Sequence, residues 1–188
     1  MKTGKLFIIT GTSAVGKTTI AREVLLKKPE LVRSITFTTR KIRVTEKEGR
    51  DYHFISLKKF NNKIARGEFL EWINFCGNFY GTDKNEILKN LDKGKNVLLV
   101  IDVKGALTFK KILKQKAVTI FILPDSLAQL IKRFKGRPNT TQEEINKRMT
   151  TAKIELKQAK LCDYQLRNRE NQIAVTVAKT LKILEKAD

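Results

Sequence analysis

Apolar residues along this chain fall in short runs separated by stretches of helical spacing. The first run, Leu6–Thr10, predicts a buried strand, and the segment after it, Gly16–Lys28, predicts a helix. Residues 34–82 break the rhythm, with short strands expected around Ser34–Phe37, Tyr52–Phe54 and Phe69–Phe75 and a helix near Leu57–Arg66. Regular alternation then resumes. Lys84–Lys93 reads as a helix, Val97–Asp102 as a strand, Gly105–Leu113 as a helix and Ala117–Leu123 as a strand. Helices over Leu127–Lys135 and Thr141–Ala159, a short strand at Asp163–Leu166 and a last helix over Gln172–Lys186 complete the series. Alternating strands and helices predict an α/β fold, a parallel central sheet covered on both faces, which makes three layers. Ligands of such sheets bind beyond the carboxyl ends of the strands. With no Gly/Ser- or Pro-rich linker and no repeat, the expectation is one domain: a core of residues 1–33 and 84–188, with a small mixed insert over 34–83.

Composition changes this picture in one respect. The chain has 188 residues, 41% of them hydrophobic, as expected of a globular domain. Its net charge is +20, from 39 Lys+Arg against 19 Asp+Glu. Such a balance raises the question of nucleic acid. The basic residues are scattered, however, and do not interleave with aromatics as a base-stacking platform would. The expected partner is an anionic small molecule and no specific nucleic acid. Cys76 and Cys162 stand alone and His53 is the sole histidine, so a Cys/His zinc site is not expected and the cysteines read as free thiols. Lys2 and Lys5 flank a run too short for a secretion signal, and no run reaches membrane-spanning length. A cytoplasmic protein is expected, with its oligomeric state left open.

The chemistry begins at Gly11-Thr12-Ser13-Ala14-Val15-Gly16-Lys17-Thr18, which fits G-x-x-x-x-G-K-[ST] between a strand and a helix. In that context backbone N–H groups and the helix N-terminus cradle phosphates. Lys17 reaches the terminal phosphates, and the Thr18 hydroxyl, followed by Thr19, suits Mg²⁺. A nucleoside triphosphate is therefore expected. The guanine-reading N-K-x-D of a GTPase is missing, since Asn146-Lys147-Arg148-Met149 lacks the aspartate.

The insert carries a second constellation. Thr36-Phe37-Thr38-Thr39-Arg40-Lys41-Ile42-Arg43 sets two guanidinium groups beside several hydroxyls, and guanidinium forks match phosphate oxygens. Tyr52 and Tyr80 can add uncharged donors. Glu71 follows the apolar pair Phe69-Leu70, so its carboxylate suits a partly dry pocket. There it could accept from N1–H and the 2-amino group of guanine, while adenine would present a lone pair instead. Thr82 could reach the base's O6. Each of these residues alone has a plainer reading as surface or packing; their order after a phosphate loop is what points to a second nucleotide.

Taken together the segments resemble guanylate kinase, over nearly the whole chain. The most specific are Thr38-Thr39-Arg40-x-x-Arg43, Gly49-x-Asp51-Tyr52-x-Phe54, Phe69-Leu70-Glu71, Gly77-Asn78-x-Tyr80-Gly81-Thr82 and Asp102-Val103-x-Gly105. Arg133-x-x-x-Arg137 and Lys147-Arg148-Met149 are similar to the family's lid, about residues 134–148. The resemblance implies transfer of the terminal phosphoryl group of ATP to GMP or dGMP with Mg²⁺. It implies that Arg40, Arg43, Tyr52 and Tyr80 hold the acceptor phosphate and that Thr36, Glu71 and Thr82 read guanine, with Asp102 near the base and metal. Arg133, Arg137 and Arg148 would close on the ATP phosphates, and Asn168 would lie near the adenine. The chain also departs from the family. Val100 stands where an acidic residue is usual, Lys104 where glutamine is, Arg169 where aspartate is common, and Thr12 and Ala14 replace proline and glycine. The missing carboxylate leaves an impaired guanylate-kinase-like binding module as an alternative; a related sugar-phosphate kinase would keep the phosphate loop but have no need of Glu71 and Thr82 to read a base.

Overall fold

The computed structural model describes residues 3–75, 77–136 and 141–187. In chain order the elements are β1 (Leu6–Gly11), α1 (Lys17–Lys27), β2 (Val32–Arg33), β3 (Phe37–Thr38), β4 (His53–Phe54), α2 (Leu57–Ala65), β5 (Phe69–Phe75), β6 (Asn78–Asp83) and α3 (Lys84–Asp92). They continue with β7 (Val97–Val100), α4 (Val103–Leu113), β8 (Ala117–Pro124), α5 (Leu127–Lys135), α6 (Gln142–Gln158), β9 (Tyr164–Asn168) and α7 (Ile173–Ala187). Strands β2-β7-β1-β8-β9 form a five-stranded sheet, parallel throughout. The period-2 rule of strands divides its side chains between two cores. Phe7, Ile9, Leu98, Ile120 and Ile122 pack with Ile20 and Val24 of α1 and Val177 and Ile183 of α7. Leu6, Ile8, Val97 and Leu99 pack with Ile87 and Leu91 of α3 and Ala106 and Phe109 of α4. The expected three layers are therefore present, with β1 central and its carboxyl end feeding the phosphate loop.

A second sheet, β4-β3-β6-β5, stands apart from the first. Its β3–β4 pair is parallel, and its β3–β6 and β5–β6 pairs are antiparallel. The expected strand at Ser34–Phe37 is really the passage between sheets. The Ser34 N–H still donates to Leu98 of the parallel sheet, while the Thr36 carbonyl already accepts from His53 of the mixed one. Strand β6 was not expected from its residues, because Asn78, Gly81 and Asp83 are weak strand formers. Pairing on both sides, to β3 and β5, overrides that preference.

Two boundaries differ where the chain turns toward the site. Strand β7 ends at Val100, and Asp102 is the N-cap of α4 instead of a strand residue. Its Oδ1 accepts from the Lys104 and Gly105 N–H groups at 2.9 and 3.1 Å, so the helix starts at Val103. The last strand runs on to Asn168. No described helix is long and apolar enough to cross a membrane.

Candidate functional site

The phosphate loop links β1 to α1 across the carboxyl edge of the parallel sheet. Gly16 has φ +103° at the start of α1, and a Cβ there would meet Asn168 Nδ2 at 3.0 Å. Glycine is thus required both for the turn and for the approach of a bracing side chain. The Lys17 ammonium donates to the Gly11 and Thr12 carbonyls at 2.7 and 2.9 Å, which keeps it over the loop. Ala14 has φ +64°, a conformation that costs a non-glycine residue energy. Its methyl lies against Leu130, Phe134, Ile145 and Ala152, the apolar cluster joining α5 to α6. Arg133 donates to the Ala14 carbonyl at 2.9 Å. Asn168, only 2% exposed, donates to the Val15 carbonyl at 2.9 Å and accepts from Thr176.

Across the cleft the mixed sheet presents its own groups. A bulge between Phe69 and Glu71 brings Glu71 opposite Thr82 instead of Gly81. The Thr82 hydroxyl, fully buried, donates to Glu71 Oε1 at 2.8 Å. Glu71 itself is 8% exposed, and its Oε2 is buried without a hydrogen-bond partner. Burial pushes the Glu71 carboxyl up to about 7; the Asp102 charge adds to the rise and the Thr82 hydrogen bond opposes it. A Cβ on Gly105 would stand 3.0 Å from Glu71 Oε2, so the glycine of Asp102-Val103-Lys104-Gly105 is what lets the carboxylate sit against α4.

Near this carboxylate lies an anion cradle. Arg40 Nη2 donates to both oxygens of Glu46, at 2.7 and 2.9 Å, and Nη1 to the Lys41 carbonyl at 2.7 Å. Burial works against the Arg40 charge, but the Glu46 hydrogen bond and charge, with Tyr80 in support, hold its pKa above the ordinary value. The Arg40 guanidinium lies 5.4 Å from the Tyr52 ring centre, and Tyr52 packs edge-on to Tyr80 at 5.9 Å. Burial raises the Tyr52 phenol above its usual range, with Tyr80 next in effect, so it stays a neutral donor.

One cleft of about 570 Å³ joins the two halves. Ser13 to Thr19 line one wall; Thr36, Arg40, Arg43, Tyr52, Glu71 and Tyr80 line the other; Asp102, Arg133 and Arg148 complete it. A phosphate-binding loop and a guanidinium-tyrosine-carboxylate wall in one cleft is an arrangement for two anionic substrates. The sequence profile of the guanylate kinase family matches residues 3–187. The chain is 42% identical over 170 residues to the guanylate kinase of Clostridioides difficile, covering 90% of this chain and 82% of that one. It is 40% identical over 190 residues to that of Malacoplasma penetrans, covering 98% and 97%. A crystal structure of guanylate kinase from Anaplasma phagocytophilum superposes with a TM-score of 0.82 at 30% identity, over 99% of this chain and 87% of that one.

This chain belongs to the guanylate kinase family. Its enzyme activity is the ATP-dependent phosphorylation of GMP. In this guanylate kinase three of the expected site residues have side chains buried within the protein. Asn168 braces the loop from below, the Thr12 side chain is buried while its carbonyl takes Lys17, and Thr82 holds Glu71. Arg137 lies outside the described residues, as does Cys76, while Cys162 is a buried free thiol.

Three acidic wall residues, Glu46, Glu144 and Glu155, escaped the sequence reading. Glu46, whose side chain is 14% exposed, sits among the arginines. Glu155 of α6, 8% exposed, lines the cleft together with Val100 and Asp102. Burial pushes the Glu155 carboxyl up to about 7, opposed by the Lys17 ammonium. The signal for Glu155 was a carboxylate on the apolar face marked by Ile145 and Ala152, and for Glu46 an acid three residues after Arg43.

Proposed function

We propose that this guanylate kinase divides its reaction between the two walls of the cleft. The phosphate loop, Gly11 to Thr19, takes the ATP phosphates, and Lys17 exchanges its bonds to the Gly11 and Thr12 carbonyls for phosphate oxygens. Arg40, Arg43, Tyr52 and Tyr80 take the GMP phosphate. Glu71 reads guanine: its unpaired Oε2 and its partner Oε1 accept from N1–H and the 2-amino group, with Thr36 on the same wall and Thr82 fixing the carboxylate. Adenine meets the same carboxylate with a lone pair and is rejected, because the buried oxygen stays unpaired. The insert, residues 34–83, and the lid, about 134–148, close toward each other once both anions are bound.

The acceptor nucleophile is already an anionic oxygen, so the transfer needs positioning and charge neutralisation more than a general base. Arg133 and Arg148, with Arg137, spread the developing charge over their guanidinium donors. Mg²⁺ fits the donor set, since the Thr18 hydroxyl and the carboxylates of Asp102 and Glu155 line the loop's own cleft and Mg²⁺ takes few protein oxygens beside phosphates and water. Thr18 and Asp102 would hold it, and bound there it supplies neutralisation of the phosphate oxygens. Glu155 offsets the valine at position 100 by bringing a carboxylate to the same place from α6. What carries the reading is the buried Glu71 oxygen without a partner, in the cleft that the phosphate loop opens onto.

The test is ADP formation with MgATP and each of GMP, dGMP, AMP, CMP and UMP. Turnover selective for the guanine nucleotides is the expected result. Equal rates with AMP would remove Glu71 from base recognition, and absent turnover with intact GMP binding would single out Val100, to be followed by Val100→Asp.

A further inference from the structure

Glu46 occupies an unusual position for an acidic residue. Its carboxylate takes two hydrogen bonds from Arg40 Nη2, at 2.7 and 2.9 Å, and a third from the Arg43 backbone N–H at 2.9 Å. The Arg43 guanidinium stands 3.8 Å away. The turn that presents it is closed by the Glu46 N–H donating to the Arg43 carbonyl. Arg40 is further engaged by the Lys41 carbonyl and the Tyr80 hydroxyl. Both terminal nitrogens of the arginine assigned to the acceptor phosphate are therefore already engaged by protein groups. Carboxylate and phosphate make the same kind of charge-assisted bond with a guanidinium. They differ in charge and reach, since a phosphate monoester carries about −1.5 to −2 charges and three acceptor oxygens, against one charge and two oxygens.

We propose that Glu46 is a specificity-determining residue: an internal anion that holds Arg40 and Arg43 in the acceptor-phosphate subsite and yields Arg40 only to a dianionic phosphate ester. The inference rests on the reading of that subsite given above. A neutral nucleoside binds the guanine pocket and leaves Glu46 in place, so the cradle is not reorganised around it. Inorganic anions compete with a tethered carboxylate whose local concentration is of millimolar order, and are held off. Burial of Arg40 makes the exchange consequential, because an unpaired guanidinium there would be costly. Glu46 keeps the cradle assembled between turnovers and sets a cost on every phosphate that enters it, a cost that a dianion tethered to a bound base can meet and a free anion cannot.

The experiment compares the full chain with its Glu46→Gln variant by calorimetric titration of GMP, guanosine and inorganic phosphate. Glutamine keeps an acceptor oxygen for the Arg43 N–H and removes the charge; an unchanged thermal midpoint certifies the fold. The expected result is GMP binding tightened about tenfold, guanosine changed less than about twofold, and inorganic phosphate turned into a measurable ligand. GMP binding that weakens or stays the same in the variant overturns the proposal, since Glu46 would then be working with the phosphate. A structure of the unmutated chain with GMP gives a readout that does not depend on the variant. There Glu46 is expected beyond 4 Å from Arg40 Nη2, a separation past ion-pair range, and an intact pair beside bound phosphate also overturns the proposal. If the unmutated chain binds neither GMP nor guanosine, the substrate reading itself fails and the proposal falls with it.

Discussion

In the phosphate loop the groups that meet an anion are backbone N–H groups and one lysine, set by the local geometry of eight consecutive residues. Across the cleft, the groups expected to meet GMP are side chains from several segments: Thr36, Arg40 and Arg43, Tyr52, Glu71 and Tyr80. The loop is held by bonds to its own carbonyls, from Lys17, Arg133 and Asn168. The mixed sheet holds charges in suspense: one carboxylate oxygen of Glu71 unpaired, one arginine committed to Glu46. On the proposed reading the first wall recognises phosphates alone, while the second recognises one base through groups that are costly to leave as they are.

Lys17→Ala is the strongest test of the first wall. It should lower turnover by about 10²–10³-fold or more, as loss of a positioned transition-state donor does, while GMP binding measured without ATP stays close to normal. Near-normal turnover would show that the loop's backbone suffices and that the contrast between the walls is overdrawn.

Gly105→Ala probes the second wall without touching a ligand group. A methyl 3.0 Å from Glu71 Oε2 must push the carboxylate off α4. The expected effect is a rise in KM for GMP of about 10–100-fold, on the scale of 1–3 kcal/mol for a misplaced buried polar group, with KM for ATP unmoved. Parallel losses for both substrates would mean that α4 supports the whole cleft and not Glu71 alone.

These two walls also differed in how far they could be read from sequence. The phosphate loop is a contiguous pattern, so its strand, its helix and its position at a carboxyl edge were all legible. The parallel sheet followed from alternating apolar runs, since Leu6-Phe7-Ile8-Ile9 and Val97-Leu98-Leu99 have nowhere to go but between helices. The mixed sheet resisted because β3 and β4 are two residues each and β6 owes its form to neighbours on both sides. Glu71 was legible as a candidate, but its bulge, its Thr82 partner and its glycine neighbour depend on contacts that no local pattern encodes. Asn168 was expected near the adenine, and its bond to the Val15 carbonyl of the phosphate loop is a contact that only the packing of β9 against the loop decides. Glu46 and Glu155 were missed for the same reason: an isolated carboxylate in a basic chain reads as solvated until its surroundings are known.

A smaller effect tests Glu71 by pH. Burial pushes its carboxyl up to about 7, and on the proposed reading the ionised form is the one that accepts from guanine. Below pH 7 binding must release a proton, so guanosine should bind more tightly as pH rises from about 6 to 8, approaching tenfold per unit on the acid side. Guanosine is the better probe, because the GMP phosphate titrates near the same range. A pH-independent affinity would contradict the charged state assigned to Glu71. The linked effect on folding has the opposite sign. A carboxyl whose pKa is raised on folding favours the native state below its unfolded value of 4.5, and that contribution is lost as pH rises through about 7. Bound GMP should remove much of that loss.

Thr82→Val is the mildest change. It is nearly isosteric and deletes only the donor to Glu71 Oε1. KM for GMP should rise a few-fold, in line with about 1 kcal/mol for one hydrogen bond, and the pH at which guanosine affinity levels off should move upward. A downward move would mean that Thr82 disfavours the charged form.

The bond from Asn168 to Val15 bridges 153 positions of sequence. The phosphate loop is therefore synthesised in the first tenth of the chain but braced by the last strand made. During translation, the loop leaves the ribosome without its strut, and ATP has no finished cradle to recognise until β9 has docked beside β8. Nucleotide binding then arrives as a late event in the protein's biogenesis, and a chain stalled or truncated before β9 can carry every residue of the motif without the nucleotide affinity the motif advertises.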